Sequence, residues 1–364
     1  MKVLLISPLT GIVGGISIWT RNIVDHIKRD SGIELQICDF SRKITGRMIS
    51  NPISKTYYAI RDYWRLTKKA VSIIKQYDGD VVHLCSSASL LLVRDWFVMR
   101  AAKRRGLKTC IHFHFGRIPE IASKRNWEWR LLKKVVEKAD TTVVMDMMSL
   151  KTLNSIPYVE AVLLPNPLSD NIVKVINGIT TTRQPKTLLF AGHCIPTKGV
   201  TELVTACKSI HGIKLIMVGA ISLEMEDCLK SLSGDDNSWL EIKGQISHEE
   251  TIAHMSSCDI FVLPTYTEGF PNVILESMAC GCPIIASSVG AIPEMLEEEN
   301  GKRYGVVIEP RNIQQLKSAI EMLLYDSDLK QECGSNAKVR VVERYSIEKV
   351  CNQLNEIWKQ TQEC

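Results

Sequence analysis

The sequence has few aromatic residues and no long apolar run. Phe, Trp and Tyr together make up 6% of its 364 residues. No segment approaches the ~18 uninterrupted apolar residues that a membrane-spanning helix requires, so no transmembrane helix is expected. The first eight residues, Met-Lys-Val-Leu-Leu-Ile-Ser-Pro, form too short and too quickly interrupted an apolar stretch for a signal peptide. They predict a buried first strand instead.

Several motifs of common protein classes are also missing. The glycine-rich segment after the first strand does not have the Gly-x-Gly-x-x-Gly spacing of dinucleotide-binding enzymes, which argues against a dehydrogenase. No nucleic-acid-binding motif, internal repeat or low-complexity tract occurs. The twelve cysteines include no Cys-x-x-Cys pair and no neighbouring histidine at ligand spacing. They are therefore interpreted as reduced structural thiols of a cytoplasmic protein rather than a zinc site.

The overall composition is that of a soluble globular protein, with 45% hydrophobic and 23% charged residues. The length suffices for two domains with separate cores. The net charge of +5 is unevenly distributed: residues 1–180 contain 28 Lys and Arg against 15 Asp and Glu, a net of +13, and residues 181–364 contain 17 against 25, a net of −8. A basic first half predicts an anionic partner for that part of the chain.

The basic residues of the first half occur in clusters together with aromatic residues. One cluster runs from Arg42 to Lys75, a second from Arg100 to Lys108, and a third from Lys124 to Lys134. The aromatic members are Tyr57, Tyr58, Tyr63, Trp64, Trp127 and Trp129. This mixture suits helices that lie on an anionic membrane surface. The alternative is a set of solvated helix faces, and nucleic acid is not expected because no motif for it occurs.

Short apolar runs alternate with helical patterns along both halves, which predicts parallel sheets covered by helices. The predicted strands of the first half are Val3–Ser7, Glu34–Asp39, Val81–Cys85, Lys108–Phe113 and Thr141–Met145. Those of the second half are Thr187–Ala191, Leu215–Val218, Leu240–Lys243, Ile260–Leu263, Ile284–Ala286 and Gly305–Ile308. The polar stretch 177–185 between the two series is the expected linker.

The segment from Glu268 to Pro283 is the most informative part of the sequence. It predicts a loop, a helix whose first residue is Pro271, and a left-handed cap at Gly281 before a strand. The backbone N–H groups of Gly269, Phe270 and Asn272 and the helix dipole would attract a phosphate at the helix start. Glu276, deeper in the helix, could accept hydrogen bonds from sugar hydroxyls. A bare pair of glutamates would more often be two surface acids.

The whole string changes this interpretation, because it resembles the signature of retaining glycosyltransferases of family 4, the glycosyl transferases group 1. That signature has a glutamate, Gly-Phe-Pro, a second glutamate eight positions on, and an Ala-x-Gly-x-Pro-Ile-Ile-Ala run. The resemblance implies an α/β protein of the GT-B fold, with two Rossmann-like domains facing each other across a cleft. Residues 1–176 plus 345–364 would form the acceptor domain, and residues 177–344 the donor domain.

Further matches to the family lie in the expected donor domain. Phe190–Gly199 resembles a segment in which an arginine and a Lys-Gly pair hold the donor diphosphate. Lys198 and Gly199 match it, whereas His193 stands where arginine is usual, and a neutral imidazole offers one donor and no fixed charge. The resemblance also assigns donor contacts to Gly219, Gln245 and Ile246.

Two segments of the first half resemble family positions on the acceptor side. Gly14 and Gly15 follow the first strand, where they would let a phosphate or an acceptor approach the backbone; an ordinary tight turn is the alternative. Strand alternation puts His112 and His114 on one face with Phe113 on the other. The resemblance favours His114 as the residue that reaches the sugar, and two hydrogen-bonded core histidines are the alternative. His26, His83, His211, His248 and His254 are interpreted as structural or surface residues.

The resemblance therefore implies a metal-independent retaining transferase that needs no cofactor. Its substrates would be a nucleotide-sugar, with UDP-sugar favoured, and a glycan or lipid-linked acceptor, as in bacterial surface polysaccharide synthesis. It would be cytoplasmic and peripheral on the inner face of the membrane. The catalytic residues would be His114, Glu268 and Lys198. The donor side would comprise Gly15, Gly192, His193, Lys198, Gly219, Gln245, Ile246, Glu268, Gly269, Phe270, Pro271, Asn272, Val273 and Glu276, and the acceptor side Gly14, Gly15 and His112.

Three alternatives remain open at this point. A sugar-nucleotide epimerase of the same fold would convert its donor without an acceptor. A non-catalytic protein would bind a nucleotide-sugar without releasing the nucleotide. A synthase of a soluble disaccharide would use the same donor site, but the basic first half argues against it.

Overall fold

The computed structural model describes residues 1–10, 14–30, 32–41 and 52–363, and the chain divides into two compact units. The first unit comprises Met1–Pro167 and Ile347–Cys364, and the second comprises Leu168–Ser346. Each unit contains a parallel six-stranded sheet with helices between successive strands. None of the helices within the described ranges is long and apolar enough to cross a bilayer.

The sheet of the first unit has the strand order β2-β1-β3-β4-β5-β6. Its elements up to the end of β6 are β1 (Lys2–Ser7), α1 (Gly15–Asp30), β2 (Glu34–Asp39), α2 (Pro52–Gln76), β3 (Val81–Ser86), α3 (Leu91–Arg104), β4 (Lys108–Phe113), α4 (Ile118–Lys124), α5 (Trp127–Val136), β5 (Thr141–Val144), α6 (Met147–Asn154) and β6 (Ala161–Leu163).

The sheet of the second unit has the order β12-β11-β10-β7-β8-β9. Its elements are α7 (Asp170–Gly178), β7 (Thr187–Ala191), α8 (Val200–Cys207), β8 (Lys214–Val218), α9 (Leu223–Ser233), β9 (Leu240–Gly244), α10 (His248–Ser257), β10 (Ile260–Leu263), α11 (Asn272–Ala279), β11 (Ile284–Ser287), α12 (Ile292–Leu296), β12 (Val306–Ile308), α13 (Ile313–Tyr325) and α14 (Ser327–Tyr345). The last helix, α15 (Ile347–Glu363), belongs to the first unit.

Strand alternation gives the first unit a core on each face of its sheet. Leu4 and Ile6 of β1 point into one core, and Val3 and Leu5 point into the other. The second of these cores also contains side chains of α1 and α15, which pack against each other. Both faces of the strands are therefore apolar, as expected for a parallel sheet covered on both sides.

The predicted strands are confirmed, and each of their ends agrees with the structure to within one residue. The three-residue edge strand β6, directly before residues 164–167, was not predicted. The predicted domain boundary at 176/177 also differs from the contact boundary at 167/168. The reason is that α7, which was expected to end the first domain, packs against α10 and α11 of the second unit. The expected linker 177–185 accordingly lies inside the second unit.

Candidate functional site

The carboxyl ends of three neighbouring strands in the second unit are joined by backbone hydrogen bonds. Gly192 donates its N–H to the carbonyl of Val218 at 2.9 Å, and Gly219 donates to the carbonyl of Gly244 at 2.8 Å. A Cβ atom on Gly219 would overlap the carbonyl of Gly192, so this close approach requires glycine. The predicted donor positions Gly192 and Gly219 therefore lie side by side, with Gln245 following the third strand.

Two predicted catalytic side chains meet where the strand order of the second sheet reverses. β7 and β10 are neighbouring strands, but the chain continues from β7 to β8 on one side and from β10 to β11 on the other. Lys198 follows β7, and Glu268 follows β10. The Lys198 ammonium forms an ion pair with the Glu268 carboxylate, and both side chains are partly buried. Tyr266 also donates its N–H to the carbonyl of Thr197 at 2.9 Å, which ties the two loops together. Ligands of open α/β sheets bind at such a switch point.

The backbone of Glu268 is fixed by the loop that follows β11. Ala291 donates its N–H to the carbonyl of Gly269 at 2.9 Å. Gly290 has a φ of +56°, and a Cβ atom there would overlap the carbonyl oxygens of Glu268 and Gly269. Glycine at position 290 therefore allows the β11–α12 connection to support the loop that carries Glu268.

The helix after this loop starts one residue later than the sequence predicts. Pro271 is the N-cap, with φ −75° and ψ 113°, and Asn272 is the first residue of α11. The extended ψ of Pro271 is the physical reason, because the chain turns into the helix only after it. The left-handed conformation expected at Gly281 is confirmed by a φ of +63°. Phe270, next to the N-cap, packs its ring edge-to-face on Tyr345 at 5.5 Å.

Glu276 lies in the second turn of α11 and is 6% exposed. Its Oε1 atom lies 3.0 Å from Nε2 of His248, the first residue of α10, whose side chain is 57% exposed. The hydrogen bond to Glu276 raises the pKa of His248 above its ordinary value, against the opposing effect of burial. His248, which was interpreted as a structural or surface residue, is thus a half-exposed residue that also contacts a predicted donor residue.

His193, which replaces the expected arginine, lies just beyond β7 and is exposed. Its carbonyl accepts the N–H of Ile195 at 2.9 Å, and Cys194 donates its N–H to the carbonyl of Ala220. The turn that follows, Pro196–Lys198, is a short 3-10 helix that leads into α8. The chain therefore offers a fixed cation at Lys198 and an imidazole five residues earlier in the same connection.

In the first unit, the predicted glycines lie at the start of α1. Gly14 donates its N–H to Oγ of Ser17 at 2.9 Å and accepts the N–H of Ile18 at 3.0 Å, and Gly15 is the first residue of the helix. Both glycines are exposed. Residues 11–13 of the predicted loop lie outside the described residues, as do residues 42–51 of the first basic cluster.

His112 and His114 lie on one face of the sheet, as predicted from alternation. Their ring centroids are 3.8 Å apart, and Phe113 points into the opposite core. Trp19 of α1 packs edge-to-face on both rings, at 5.0 Å and 4.9 Å. His114 directly follows the strand and donates its backbone N–H to the carbonyl of Ser86 at 2.9 Å. His112 is fully buried, and His114 is partly buried.

His83 belongs to the same buried cluster, although the sequence analysis set it apart. Its ring lies 5.5 Å from that of His112, and its Nδ1 accepts the indole N–H of Trp358 at 2.9 Å. Burial lowers the pKa of His83 and of His114 to about 3, and burial together with the neighbouring imidazoles lowers the pKa of His112 as well. The three imidazoles are therefore neutral at physiological pH.

A group of possible metal ligands occurs in this cluster. Among the described residues, His83, Cys85 and His112 place their ligand atoms within 4.8 Å of one another. However, the hydrogen bond from Trp358 occupies the lone pair of His83 Nδ1, so the proton of this neutral ring is on Nε2. Burial also raises the pKa of the Cys85 thiol to about 12, which keeps it protonated. The cluster is thus better suited to packing than to holding a metal ion.

The structure therefore places the predicted donor residues of the second unit on connections that follow its strands, whereas Gly15, also predicted on the donor side, lies in the first unit with the predicted acceptor residues. Two contacts were not predicted from the sequence, that of His248 with Glu276 and that of His83 with His112. His248 lies 28 positions from Glu276, and His83 lies on the strand beside His112. Neither contact has a local sequence signal, because both depend on which strands and helices become neighbours.

Comparisons with known proteins agree with this architecture. Residues 175–340 match the family described as Glycosyl transferases group 1. The capsular polysaccharide biosynthesis glycosyltransferase CapM of Staphylococcus aureus is 28% identical over 180 residues, which is 46% of this chain and 44% of CapM. The chain spans about half the length of the curated relatives it matches, 44–47% for three of them.

Solved structures match nearly the whole chain. Sucrose-phosphate synthase from Thermosynechococcus elongatus superposes with a TM-score of 0.77 at 18% identity, over 99% of this chain and 98% of that one. Anabaena Alr3699/HepE, solved in complex with UDP, superposes with a TM-score of 0.73 at 17% identity, over 99% and 100%. The chain therefore has the GT-B fold of two Rossmann-like domains, and its residues 175–340 match the model of the glycosyl transferases group 1 family.

Proposed function

We propose that this chain is a retaining glycosyltransferase that moves a sugar from a nucleotide-sugar to a glycan or lipid-linked acceptor. The observation that carries the proposal is the Lys198–Glu268 ion pair at the strand switch point, with buried Glu276 in the helix that follows. The Lys198 ammonium and the start of α11 can bind the diphosphate of a nucleotide-sugar, and the Glu276 carboxylate can accept hydrogen bonds from its sugar hydroxyls. UDP-sugar is the favoured donor, and the UDP complex of a structural neighbour supports this choice.

In this mechanism, catalysis depends on electrostatic stabilisation of the leaving diphosphate. The Lys198 ammonium has three N–H donors, so it can bind a phosphate oxygen while it still contacts Glu268. The N-terminus of α11 adds the positive end of its dipole as charge develops on the leaving group. His193 supplies one further donor. The reaction then requires neither a metal ion nor another cofactor.

The other proposed residues orient the two substrates. Glu268 would accept hydroxyls of the transferred sugar, and Glu276 those of the ribose. The departing phosphate would help to deprotonate the acceptor, which attacks from the same face, so that the anomeric configuration is retained. His114 would orient the sugar as a neutral imidazole, consistent with a pKa lowered to about 3. Gly14, Gly15 and His112 would lie on the acceptor side.

Thermal unfolding with UDP, GDP, ADP and several UDP-sugars tests the donor site. A ligand at ~100 times its Kd should add about 2.7 kcal/mol to the free energy of unfolding. We expect a shift with uridine compounds that disappears in Glu276→Ala. Glu343→Ala removes an exposed acid of α14, away from the site, and is the matched control. The donor-site proposal is wrong if no nucleotide shifts the unfolding of the unmodified chain.

The two main alternatives are separated by following the donor. An epimerase would convert a UDP-sugar in the absence of any acceptor, and a binding protein would show the thermal shift but release no UDP when acceptors are added. We expect UDP release that requires an acceptor, measured by chromatography of the reaction. Conversion of the donor sugar without an acceptor would favour the epimerase.

We further propose that the first unit contacts an anionic membrane through an aromatic face on α2 and α3. Trp64 and Phe97 are exposed, and their ring centroids are 5.7 Å apart. Ile60, one helical turn before Trp64, is also exposed, and α2 carries exposed basic residues in the same stretch at Arg61, Arg65 and Lys68. Aromatic rings with flanking cations suit the interface of an anionic bilayer. Capsular polysaccharide synthesis by the relative CapM agrees with an acceptor at a membrane.

Liposome co-sedimentation tests this face. We expect binding that increases with the anionic lipid fraction, weakens with salt, and falls several-fold in the double variant Trp64→Ser with Phe97→Ser. Tyr325→Ser, which removes an exposed aromatic residue of the second unit, should leave binding unchanged. Binding that depends on neither anionic lipid nor salt would contradict the proposal.

A further inference from the structure

His248 is held at a fixed place beside the Glu276 carboxylate. It is the first residue of α10, and a capping box sets the start of this helix: Ser247 Oγ accepts the N–H of Glu250, and the Glu250 carboxylate accepts the N–H of Ser247. His248 Nε2 lies 3.0 Å from Glu276 Oε1. This contact joins α10 to α11 through two residues that are 28 positions apart in sequence. The pair connects the segment after β9 to α11, and the family resemblance assigned both segments to the donor nucleotide.

We propose that His248 is a positioning residue for the donor nucleotide, which orients the Glu276 carboxylate toward the ribose hydroxyls and makes donor binding depend on pH. This inference rests on the proposed function, because it takes Glu276 as the acceptor of the ribose hydroxyls. His248 uses one carboxylate oxygen and leaves lone pairs on both oxygens for the ligand. Without His248, the carboxylate would lose this orienting contact and bind the two hydroxyls less well.

The sign of the pH dependence follows from the charges around the imidazole. The groups that act on it are the carboxylate of Glu276 from α11 and that of Glu249 from its own helix. Protonated His248 donates a charge-assisted hydrogen bond to Glu276, which is stronger than the bond from the neutral ring. It also brings a positive charge near an anionic ligand. Donor affinity should therefore rise as the pH falls through the pKa of His248, for as long as Glu276 remains ionised.

The experiment is calorimetric titration of UDP-glucose between about pH 6 and pH 8.5, the range around a histidine pKa. A nucleotide-sugar is used because its bridged diphosphate has no terminal phosphate that titrates in this range. We expect His248→Ala to raise the Kd about tenfold at the lower pH and to remove most of the pH dependence. His248→Gln keeps an N–H donor without the titration, so it should bind better than His248→Ala but with a flat pH profile.

Two controls separate His248 from His193 and His211, two other histidines of the second unit. His211→Ala removes an exposed imidazole outside the site and should match the unmodified chain. His193→Gln tests the other imidazole assigned to the donor and should keep the pH slope, whatever it does to affinity. In steady-state assays, the KM for the donor should rise in His248→Ala while kcat changes little, because the residue orients a group on the nucleotide rather than the reacting atoms.

The possible outcomes distinguish this inference from the proposed function. If the unmodified chain binds no nucleotide-sugar, the proposed function fails. If it binds UDP-glucose and Glu276→Ala abolishes binding, the donor site stands; equal affinity and an unchanged pH slope in His248→Ala would then overturn the role of His248. Loss of the slope in His193→Gln but not in His248→Gln would assign the pH dependence to His193 and would also overturn it.

Discussion

At the scale of single residues, the neutral imidazoles of His83, His112 and His114 determine how the stability of the first unit depends on pH. Burial lowers the pKa of His83 and His114 to about 3, and it also lowers that of His112. In the unfolded chain, a histidine titrates near 6.5. Between these values the unfolded state binds more protons than the folded state. Stability is therefore complete above about pH 6.5 and is lost as the pH falls from there toward 3.

We expect the free energy of unfolding to decrease by roughly 1 kcal/mol per buried histidine for each pH unit below 6.5. Urea denaturation at neutral pH and at about pH 5 would measure this loss. The control is His83→Asn, in which the amide oxygen can still accept from Trp358 but does not titrate. Its stability should depend less steeply on pH, and an unchanged slope would mean that His83 is protonated in the folded state.

At the scale of the elements, the site depends on loops that are held by their neighbours. The loop with Glu268 is supported by the β11–α12 connection, where Gly290 lies against the carbonyls of Glu268 and Gly269. This arrangement places one carboxylate, Glu268, in the loop before α11 and the other, Glu276, within the helix. The support is a backbone contact, so it is sensitive to a single added carbon atom.

We therefore expect Gly290→Ala to destabilise the second unit by about 1–3 kcal/mol and to weaken nucleotide binding at the same time. Gly301→Ala is the matched control, because Gly301 has a similarly positive φ of +72° but open space around the Cβ position. Gly301→Ala should lower the free energy of unfolding only by the backbone strain, about 1 kcal/mol, and leave nucleotide binding intact. Chemical denaturation and nucleotide titration of both variants test this, and equal effects on binding would show that the contact with the Glu268 loop is irrelevant.

At the scale of the whole molecule, the first unit is built from two separate segments of the chain. The first unit needs both ends of the sequence, because α15 returns to its sheet and buries Val350, Leu354 and Trp358 in the core that α1 also covers. The second unit is a single continuous segment. A loss at the C-terminus should therefore damage the unit that contains the N-terminus.

Ending the chain after Ser346 tests this organisation. We expect β1, β3 and β4 to lose protection from hydrogen exchange, since each large side chain removed from the core contributes about 1.5–3 kcal/mol. Strands β7 and β10 should keep their protection. The control changes the exposed Glu356–Lys359 ion pair of α15 to alanines, which should alter neither unit. Equal loss of protection in both units would contradict the division.

Local patterns account for the parts of the site that the sequence predicted. The loop, helix and glycine cap from Glu268 to Gly281 lie in one short segment, and each residue preference there acts over a few positions. Alternation in β4 likewise predicted that His112 and His114 share a face. The start of α11 was wrong by one residue, because the ψ angle of Pro271 depends on the loop before it rather than on proline itself.

The sequence by itself thus determined the parallel strands, which follow from short-range periodicity, and the segment that resembles a family signature, which is a local motif. The two-domain plan was implied by that resemblance. Only the tertiary structure decided that His248 lies against Glu276, that Lys198 pairs with Glu268, and that His83 and Trp358 join the histidines of β4. The members of the His248–Glu276, Lys198–Glu268 and His83–Trp358 pairs are 28, 70 and 275 positions apart in sequence, respectively. Their proximity is set by strand order and helix packing, which no local pattern encodes.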